Sequence, residues 1–423
     1  TAWASALPFA LIGAIAAPLT WAIARDAKAT ATVAVGAGVL VAVPVLSVVY
    51  MAQPDNFSLY QPLVIGALWM GARGLRGSSR SFAVAGLLAG LATLSRNDGL
   101  LVLAALGIMF LWDRFSAWNS RDSSPPRISM SAAVACVAVF VLVMAPWWIR
   151  QLAVFGSLSP SSASGKVFFI RDIAEWNSIT TPATLNHLLD MGIGPLLMTR
   201  IGGFIAALMI FTTLVAGFIL APFMVVGGWA RRHSLDFGPF FAYAALLFGF
   251  STLVSAVHVP GGTFIHSAVA LAPHAYILAL EGIAIAVAWV AARRRAWDPA
   301  VATRAFTGAA LVFALGAAVV GSGFVHRVWA DSRDKFERVT TALRDAGAPS
   351  TDRVMSIDAA GTKYWTRLGG VVLINDPLET VEAVARAYEI DWLVIDRDDS
   401  VRSVAPILDG TTPPAWLGAP ILA

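Results

Sequence analysis

Apolar segments alternate with short polar connections along most of this chain, and arginine concentrates in every second connection. A helix that spans a bilayer needs about 20 apolar residues. The pattern therefore predicts a polytopic α-helical membrane protein with about ten spans. We expect the spans at residues 3–23, 29–51, 57–72, 81–95, 98–112, 131–149, 202–229, 239–257, 266–291 and 304–325.

The composition supports this class of protein. Hydrophobic residues make up 57% of the chain and charged residues 13%, whereas soluble domains carry about 25% charged residues. The net charge of +4 does not indicate a nucleic-acid-binding protein, because the positive charge lies in short connections, where it orients helices. The one cysteine, Cys136, lies within an apolar span, which excludes a disulfide or a cysteine-based metal site within the chain.

The basic connections also predict which side of the membrane each loop faces. Connections after odd-numbered spans carry at least two basic residues each, so the positive-inside rule places them in the cytoplasm. The chain then begins outside, directly on an apolar segment and without an initiating Met. We therefore expect at least one further span upstream of Thr1. The C-terminal segment is also expected to be extracytoplasmic.

Two predicted spans leave an alternative open. Residues 81–112 form either two short helices, broken at residues 96–99, or one long kinked helix. An Arg and an Asp at the centre of a bilayer would cost several kcal/mol, so we favour a break at the outer surface. The segment 57–72 is short and is either a full span or partly re-entrant.

The chain after residue 327 has a different pattern. Short β-prone runs near residues 354–358, 371–374 and 392–396 alternate with helical segments. This predicts a small extracytoplasmic parallel α/β domain over residues 328–423, after a transmembrane domain over residues 1–327. The runs are followed by polar residues at the edge where open α/β sheets bind ligands. Ordinary turn residues are the alternative interpretation of Asp358, Asn375, Asp376 and Asp396.

Polar residues at the predicted outer ends of spans are candidates for function, because such residues are costly near a membrane. Asp55 and Asn56 follow a proline at the end of one span, and Arg96 and Asp98 belong to a compact outer turn. Helix capping is the alternative for these residues.

Further candidates lie in two other outer connections. One long connection on the predicted outer side of the membrane contains Arg150, Lys166 and Arg171. Basic residues are normally rare on this side. Arginine and lysine bind phosphate, so a phosphate carried on an outer-leaflet lipid is a natural partner. His258 and His266 lack the spacing of a metal site on one helix. We expect them to form hydrogen bonds to a sugar or phosphate, with capping and packing as the alternative.

Three stretches of the sequence resemble a known family. They are residues 86–99 (GLLAGLATLSRNDG), 145–150 (APWWIR) with 154–156 (VFG), and 262–266 (GTFIH) with Pro273. Together they resemble polyprenyl-phosphate-sugar-dependent glycosyltransferases of the GT-C fold, in particular the group of protein O-mannosyltransferases and lipid A aminoarabinose transferases. The resemblance implies a GT-C-like helical bundle in the cell membrane, with its active face and the α/β domain outside.

This resemblance also implies a reaction. An acceptor hydroxyl displaces a polyprenyl phosphate from a sugar with inversion, assisted by an acidic base and by cations that stabilise the departing phosphate. By this pattern Arg96 and Arg150 contact phosphate or order the site, and His266 lines the cavity. We expect the principal base in an outer loop upstream of the printed sequence, which leaves Asp55 as a fallback.

The sequence does not specify the substrates. The sugar is not specified, and the acceptor is a protein, a glycan or a lipid. No cofactor is predicted, although a divalent metal stays possible. A transporter or flippase of a lipid-linked sugar is the main alternative function, because transporters also carry charges in membrane segments. A non-catalytic membrane scaffold is the second.

Overall fold

A computed structural model describes residues 2–44, 49–119, 125–158, 166, 168–254, 263–294, 296–397 and 401–421. The described chain is mostly helical, with one small parallel sheet, as the sequence predicted. It forms two compact units. The first comprises Thr1–Pro160 and Arg200–Gly323, and the second comprises Ser161–Thr199 and Phe324–Ala423. The predicted domain boundary at 327/328 lies inside one continuous helix, Pro299–Asp345, and the division into two domains stays a prediction.

The helices follow one another with short connections. Those in the first part of the chain are α1 (Ala2–Ala14), α2 (Ala16–Asp26), α3 (Ala31–Ala42), α4 (Phe57–Leu75), α5 (Ser79–Ser95), α6 (Leu100–Trp118) and α7 (Met130–Phe155). Those that follow are α8 (Leu185–Leu189), α9 (Ile193–Ile210), α10 (Ala221–Arg231), α11 (Gly238–Gly249), α12 (Thr263–Ala268), α13 (Ala272–Ala291) and α14 (Pro299–Asp345). The tail adds α15 (Ala359–Thr366), α16 (Leu378–Ala387) and α17 (Ala405–Leu408).

Within the described ranges, six stretches are long and apolar enough to cross a membrane. They are Ala4–Asp26, Asn97–Trp118, Met130–Phe155, Ile193–Val215, Phe264–Ala291 and Pro299–Asp345. Large apolar side chains remain exposed on several of these helices, such as Leu142 and Val312, as expected of surfaces solvated by lipid. The class of polytopic helical protein is therefore confirmed, whereas the total of ten spans stays a prediction.

Two predicted spans have the wrong extent. The span predicted at 29–51 ends as a helix at Ala42, because Pro44 lacks an N–H and disfavours helical geometry in the residue before it. The span predicted at 202–229 is two helices, α9 and α10. Gly217 and Phe218 between them adopt positive φ angles of 63° and 59°, which no continuous right-handed helix permits.

The chain between 81 and 112 breaks at the expected turn. α5 ends at Ser95, Asn97–Gly99 forms a 3₁₀ turn, and α6 follows. The span predicted at 304–325 instead lies within the much longer helix α14, which has 47 residues.

Close backbone contact joins α10 to α13 in the first unit. A Cβ added at Gly227 would lie 1.9 Å from the carbonyl oxygen of Leu278, and one added at Gly282 would lie 1.9 Å from that of Phe223. Small residues allow helices in membranes to approach in this way. The same pair of helices is joined by an ion pair, in which Arg231 Nε and Nη2 donate to the Glu281 carboxylate at 2.8 and 2.5 Å. Glu281 thus has a structural role as the partner of Arg231.

The tail has the parallel α/β arrangement that its sequence predicted. Strands β1 (Arg353–Ser356), β2 (Gly369–Val372) and β3 (Trp392–Val394) form a parallel sheet in the order β2-β1-β3. Met355 pairs with Val371 on one side and Leu393 on the other. Side chains of α16, such as the buried Val381, pack with them into a small hydrophobic core.

Candidate functional site

The turn between α5 and α6 carries the first two candidate residues. Arg96 leaves the helix in an extended conformation, and the chain then folds back closely on itself. A Cβ at Gly99 would lie 2.3 Å from the backbone nitrogen of Thr93, so only glycine fits this return. The turn brings Arg96 and Asp98 side by side, with Arg96 Nε 2.9 Å from Asp98 Oδ2.

Ser267 of α12 ties this ion pair to a distant part of the chain. Its hydroxyl accepts a hydrogen bond from Arg96 Nε at 3.0 Å and donates one to Asp98 Oδ2 at 2.6 Å. Both charged side chains are largely shielded, each with 15% of its surface exposed. Shielding strengthens such charge-assisted bonds. The three side chains therefore form one fixed polar group.

The residues at the start of α4 contact His266, which precedes Ser267 in α12. Asn56 occupies the N-cap position of α4 but makes no capping bond, and its Oδ1 lies 3.0 Å from His266 Nδ1. Phe57 stacks on the His266 ring at 4.2 Å between centroids. Asp55 Oδ1 accepts the backbone N–H of Asn56 at 2.5 Å. The capping alternative thus fails for Asn56.

A hydrogen-bonded layer beneath these residues fixes α12 against α4 and α11. The fully buried hydroxyls of Tyr60 and Tyr243 lie 3.0 Å apart, and Tyr243 donates to the backbone carbonyl of Ser267 at 3.4 Å. Gln61 Nε2 donates to the carbonyl of Val269 at 2.7 Å. Each bond removes the cost of burying a polar group, so the layer holds His266 and Ser267 in place.

Five of the predicted residues are therefore brought together by α4, the 96–99 turn and α12. Together with Ser267 they form the group that we call the Arg96 cluster, namely Asp55, Asn56, Arg96, Asp98, His266 and Ser267. Arg96, Asp55 and Asp98 all lie close enough to His266 to interact with it electrostatically. Among the described residues no group of three or more His, Cys, Asp or Glu side chains is arranged to hold a metal ion.

Other predicted residues are not part of this cluster. Arg150 lies near the end of α7, with its guanidinium 5.6 Å from the ring centroid of Trp147, a typical cation–π distance. In the described part of the chain, no hydrogen bond or ion pair joins Arg150 to the Arg96 cluster. His258 lies outside the described residues. The roles of both stay predictions.

Lys166 and Arg171 belong to the second unit and have protein partners there. The Lys166 ammonium donates to the carbonyl of Ser178. Arg171 Nε lies 3.4 Å from Glu175 and 2.9 Å from His187 Nε2. His187 Nε2 is also 3.0 Å from both oxygens of Glu175. This nitrogen can donate to Glu175 or accept from Arg171, but not both, so the tautomer of His187 decides which bond forms.

The polar residues that follow the strands also have protein partners. Asp358 caps α15 by accepting the N–H of Gly361 at 2.8 Å, and Lys335 of α14 donates to Asp396. Asn375 Nδ2 donates to the carbonyl of Ala174 at 2.8 Å. The structural interpretation of these residues is thus the one that the contacts favour.

Asp376 is the most extensively bonded of this set. Its carboxylate accepts hydrogen bonds from Ser178 Oγ at 2.6 Å, from the backbone nitrogens of Ile179 and Thr180 at 2.7 and 3.1 Å, and from the Thr180 hydroxyl. Burial raises the pKa of Asp376, but the hydroxyls of Ser178 and Thr180 and the two N–H groups outweigh it and lower the pKa below the usual 3.8. The carboxylate therefore fastens residues 178–180 to the sheet.

Sequence reasoning missed three members of the site and its support, namely Ser267, Tyr60 and Tyr243. None of them carries a charge, so a search for costly groups near the membrane passes over them. Tyr60 does lie one helical turn after Asn56, on the same face. Ser267 directly follows His266. Both signals were present in the spacing.

Residues 1–149 match the family of dolichyl-phosphate-mannose-protein mannosyltransferases. The predicted resemblance is confirmed for this part of the chain, which contains Asp55, Asn56, Arg96 and Asp98. Arg150 and His266 lie beyond it. Among curated proteins, none matches the chain.

Solved structures of an archaeal oligosaccharyltransferase from Archaeoglobus fulgidus are also similar to the chain. One, tethered to an acceptor peptide containing the NVT sequon, has 13% sequence identity and a TM-score of 0.44 over 93% of this chain and 58% of that one. Another, of AglB with an inhibitory peptide and a dolichol-phosphate, has 12% identity and a TM-score of 0.46 over 92% and 58%. This chain thus spans 58% of the length of these proteins.

Proposed function

We propose that this chain forms all or part of an integral membrane glycosyltransferase that uses a polyprenyl-phosphate-linked sugar. The observation that carries the proposal is the Arg96 cluster, which joins residues 210 positions apart in sequence, Asn56 and His266. Four of its members lie within the part of the chain that matches a mannosyltransferase family. The sugar we favour is mannose and the acceptor we favour is a protein, because the family name states both.

In the proposed reaction an acceptor oxygen attacks the anomeric carbon and the bond to the lipid phosphate breaks. The phosphate leaves with an extra negative charge, which a fixed guanidinium stabilises. Arg96 is held for this role, because Asp98 and Ser267 both bind its Nε. A positioned cation needs no reorganisation when the charge develops, which is the condition for effective catalysis.

The acceptor hydroxyl must lose its proton during the attack, which requires a base. Asp98 is poorly suited, because its Oδ2 already accepts hydrogen bonds from both Arg96 and Ser267. Asp55, whose described bond is to one backbone N–H, is the better candidate within the printed chain. A carboxylate from an upstream outer loop stays our first expectation. Inverting stereochemistry and an extracytoplasmic site belong to the same proposal.

The test is sugar transfer in membranes that contain the protein expressed from its whole reading frame. Vesicles receive radiolabelled mannosyl polyprenyl phosphate and a peptide rich in Ser and Thr. We expect labelled peptide from the unmodified protein, and a loss of at least about 100-fold in Arg96→Ala, the usual effect of removing one group that stabilises transition-state charge. Arg304→Ala, at an exposed arginine of α14, is the matched control and should retain activity.

Other outcomes would contradict the proposal. Full activity in Arg96→Ala would remove the proposed role of the cluster. Counterflow of the lipid-linked sugar across proteoliposomes, without any covalent product, would favour the transporter or flippase. The two results are distinguishable, because a transferase forms a new glycosidic bond and a transporter does not.

A further inference from the structure

The connection between α7 and α9 contacts the chain that follows β2, within the second unit. Asn375 donates its backbone N–H to the carbonyl of Asn177 at 3.1 Å and its side-chain amide to the carbonyl of Ala174 at 2.8 Å. Both acceptors are backbone groups. Open α/β sheets bind their ligands at the carboxyl-terminal edge of the strands. A segment of the same chain therefore lies here where a ligand would bind.

Asp376 binds the next residues of this segment. Its carboxylate accepts hydrogen bonds from the hydroxyls of Ser178 and Thr180 and from the backbone N–H groups of Ile179 and Thr180. The side chain of Ile179 is apolar and takes no part in these bonds. The edge therefore requires a peptide backbone with hydroxyls two positions apart, which any sequence of the form Ser/Thr-x-Ser/Thr provides.

The bound segment lies at the surface and buries little of its apolar area. Ile179 is 60% exposed and Trp176 is 44% exposed, and the described residues 178–184 belong to no helix or strand. The flanks are anchored, because Ile170 on one side and Leu188 on the other are buried. Segments of this kind open locally at a low cost in free energy. The edge can therefore become free while the second unit stays folded.

The chemistry of the edge selects among ligand classes. The Asp376 carboxylate would repel a phosphate. A simple saccharide offers hydroxyls but lacks the backbone N–H groups that supply two of the four bonds to this carboxylate. Peptide recognition combines main-chain bonds, which give affinity, with side-chain contacts, which give selectivity. A hydroxyl-rich peptide is therefore the ligand that fits.

We propose that the edge formed by Asn375 and Asp376 binds a hydroxyl-rich segment of a partner protein, and that residues 174–180 occupy it as an internal substitute. A tethered segment has an effective concentration of roughly millimolar, so it keeps the edge occupied until a partner peptide competes. The identification of this partner as the acceptor rests on the proposed function. The binding itself does not, so the two proposals can fail independently.

The experiment measures the fluorescence anisotropy of a labelled peptide of the sequence AEWNSITTP, which repeats residues 174–182. The protein is the full chain in lipid nanodiscs, with no sugar donor present. In the double variant Ser178→Ala, Thr180→Ala the internal segment loses two bonds to Asp376 and competes less well for the edge. We expect this variant to bind the peptide at least about tenfold more tightly than the unmodified chain does.

Two controls use the same double variant. The peptide AEWNAIATP, which lacks the two hydroxyls, should bind to it at least about tenfold more weakly. Adding Asp376→Asn should weaken the binding of AEWNSITTP to a similar extent, whereas adding Glu379→Gln, at an exposed acid of α16, should leave it unchanged.

The proposal is overturned if the double variant does not bind AEWNSITTP at millimolar concentration. It is also overturned if the two peptides bind equally well. The second result is independent of any effect of the substitutions on folding, because both peptides are compared on one preparation of the protein.

Discussion

Asp376→Asn is the most informative single change in the second unit, because it alters one charge and almost no volume. The carboxylate is buried, with 3% of the residue exposed. Oδ1 accepts hydrogen bonds from Ser178 and from both the N–H and the hydroxyl of Thr180, and Oδ2 accepts the N–H of Ile179. In asparagine one of these oxygens becomes an NH₂ group, which cannot accept a bond from a facing N–H.

The expected loss follows from these four bonds. Hydrogen bonds to a charged group contribute about 1.5–3 kcal/mol each and neutral ones about 1 kcal/mol. If the amide oxygen takes the Oδ1 position, three bonds weaken and the N–H of Ile179 faces an NH₂ group instead of an acceptor. Because such contributions are not additive, we expect a total of about 3–4 kcal/mol, or roughly a 10²–10³-fold change in local opening.

Hydrogen exchange measures this opening directly. Peptides that contain residues 178–180 should exchange roughly 10²–10³ times faster in Asp376→Asn than in the unmodified chain. Glu379→Gln, at an exposed acid three positions along, is the control and should leave the rate unchanged. Equal protection in both variants would refute the idea that this carboxylate fastens the segment.

The pH dependence of the same protection has a defined sign. The pKa of Asp376 is lowered in the folded state, so its contribution is complete above the ordinary value of 3.8 and is lost as the pH falls through the lower, folded-state value. The unmodified chain should therefore lose protection of residues 178–180 in acid, whereas Asp376→Asn should show little further change.

Two further changes test the first unit. Ser267→Ala removes the hydroxyl that joins Arg96 to Asp98, so we expect kcat for sugar transfer to fall about tenfold with KM for the donor nearly unchanged. If the KM for the donor instead rose by about tenfold, the hydroxyl would bind substrate and would not position Arg96. Gly227→Ala places a methyl group into the backbone of α13 and should destabilise the protein by about 2 kcal/mol or more. In a thermal unfolding assay Gly308→Ala, where nothing outside its own helix lies within 4 Å of the new Cβ, should be neutral or slightly stabilising, because alanine favours a helix interior over glycine.

The breaks between helices show what hydropathy can and cannot predict. The turn at residues 96–99 was predictable, because Arg96 and Asp98 are costly inside a bilayer. The break at 216–220 was not, because the residues Ala-Gly-Phe-Ile-Leu are as apolar as the helices beside them. It is defined by the positive φ angles of Gly217 and Phe218. A window of mean hydropathy contains no information about backbone angles.

The candidate site shows a similar division. Charge and loop position identified Asn56, Arg96, Asp98 and His266, which the structure brings together. The same reasoning grouped Lys166 and Arg171 with them as phosphate ligands, on the ground that basic residues are unusual in outer loops. Their described partners are Ser178, Glu175 and His187 in the same segment. Local partners in an irregular segment are set by tertiary folding, which single-sequence patterns do not describe.

The charge of the Arg96 cluster sets a requirement for the proposed reaction. Asp55 and Asp98 contribute −2 and Arg96 contributes +1, which leaves −1 with a neutral His266. A lipid phosphate is itself negative, so this cluster alone repels the donor.

A second cation must lie near the phosphate when the donor binds. Arg150, in the same unit, and a divalent metal bound with the donor are two sources of such a charge. If Arg150 supplies the charge, Arg150→Ala should lose donor binding, and added magnesium should not restore it. If a metal supplies it, chelation should abolish transfer while Arg150→Ala retains it.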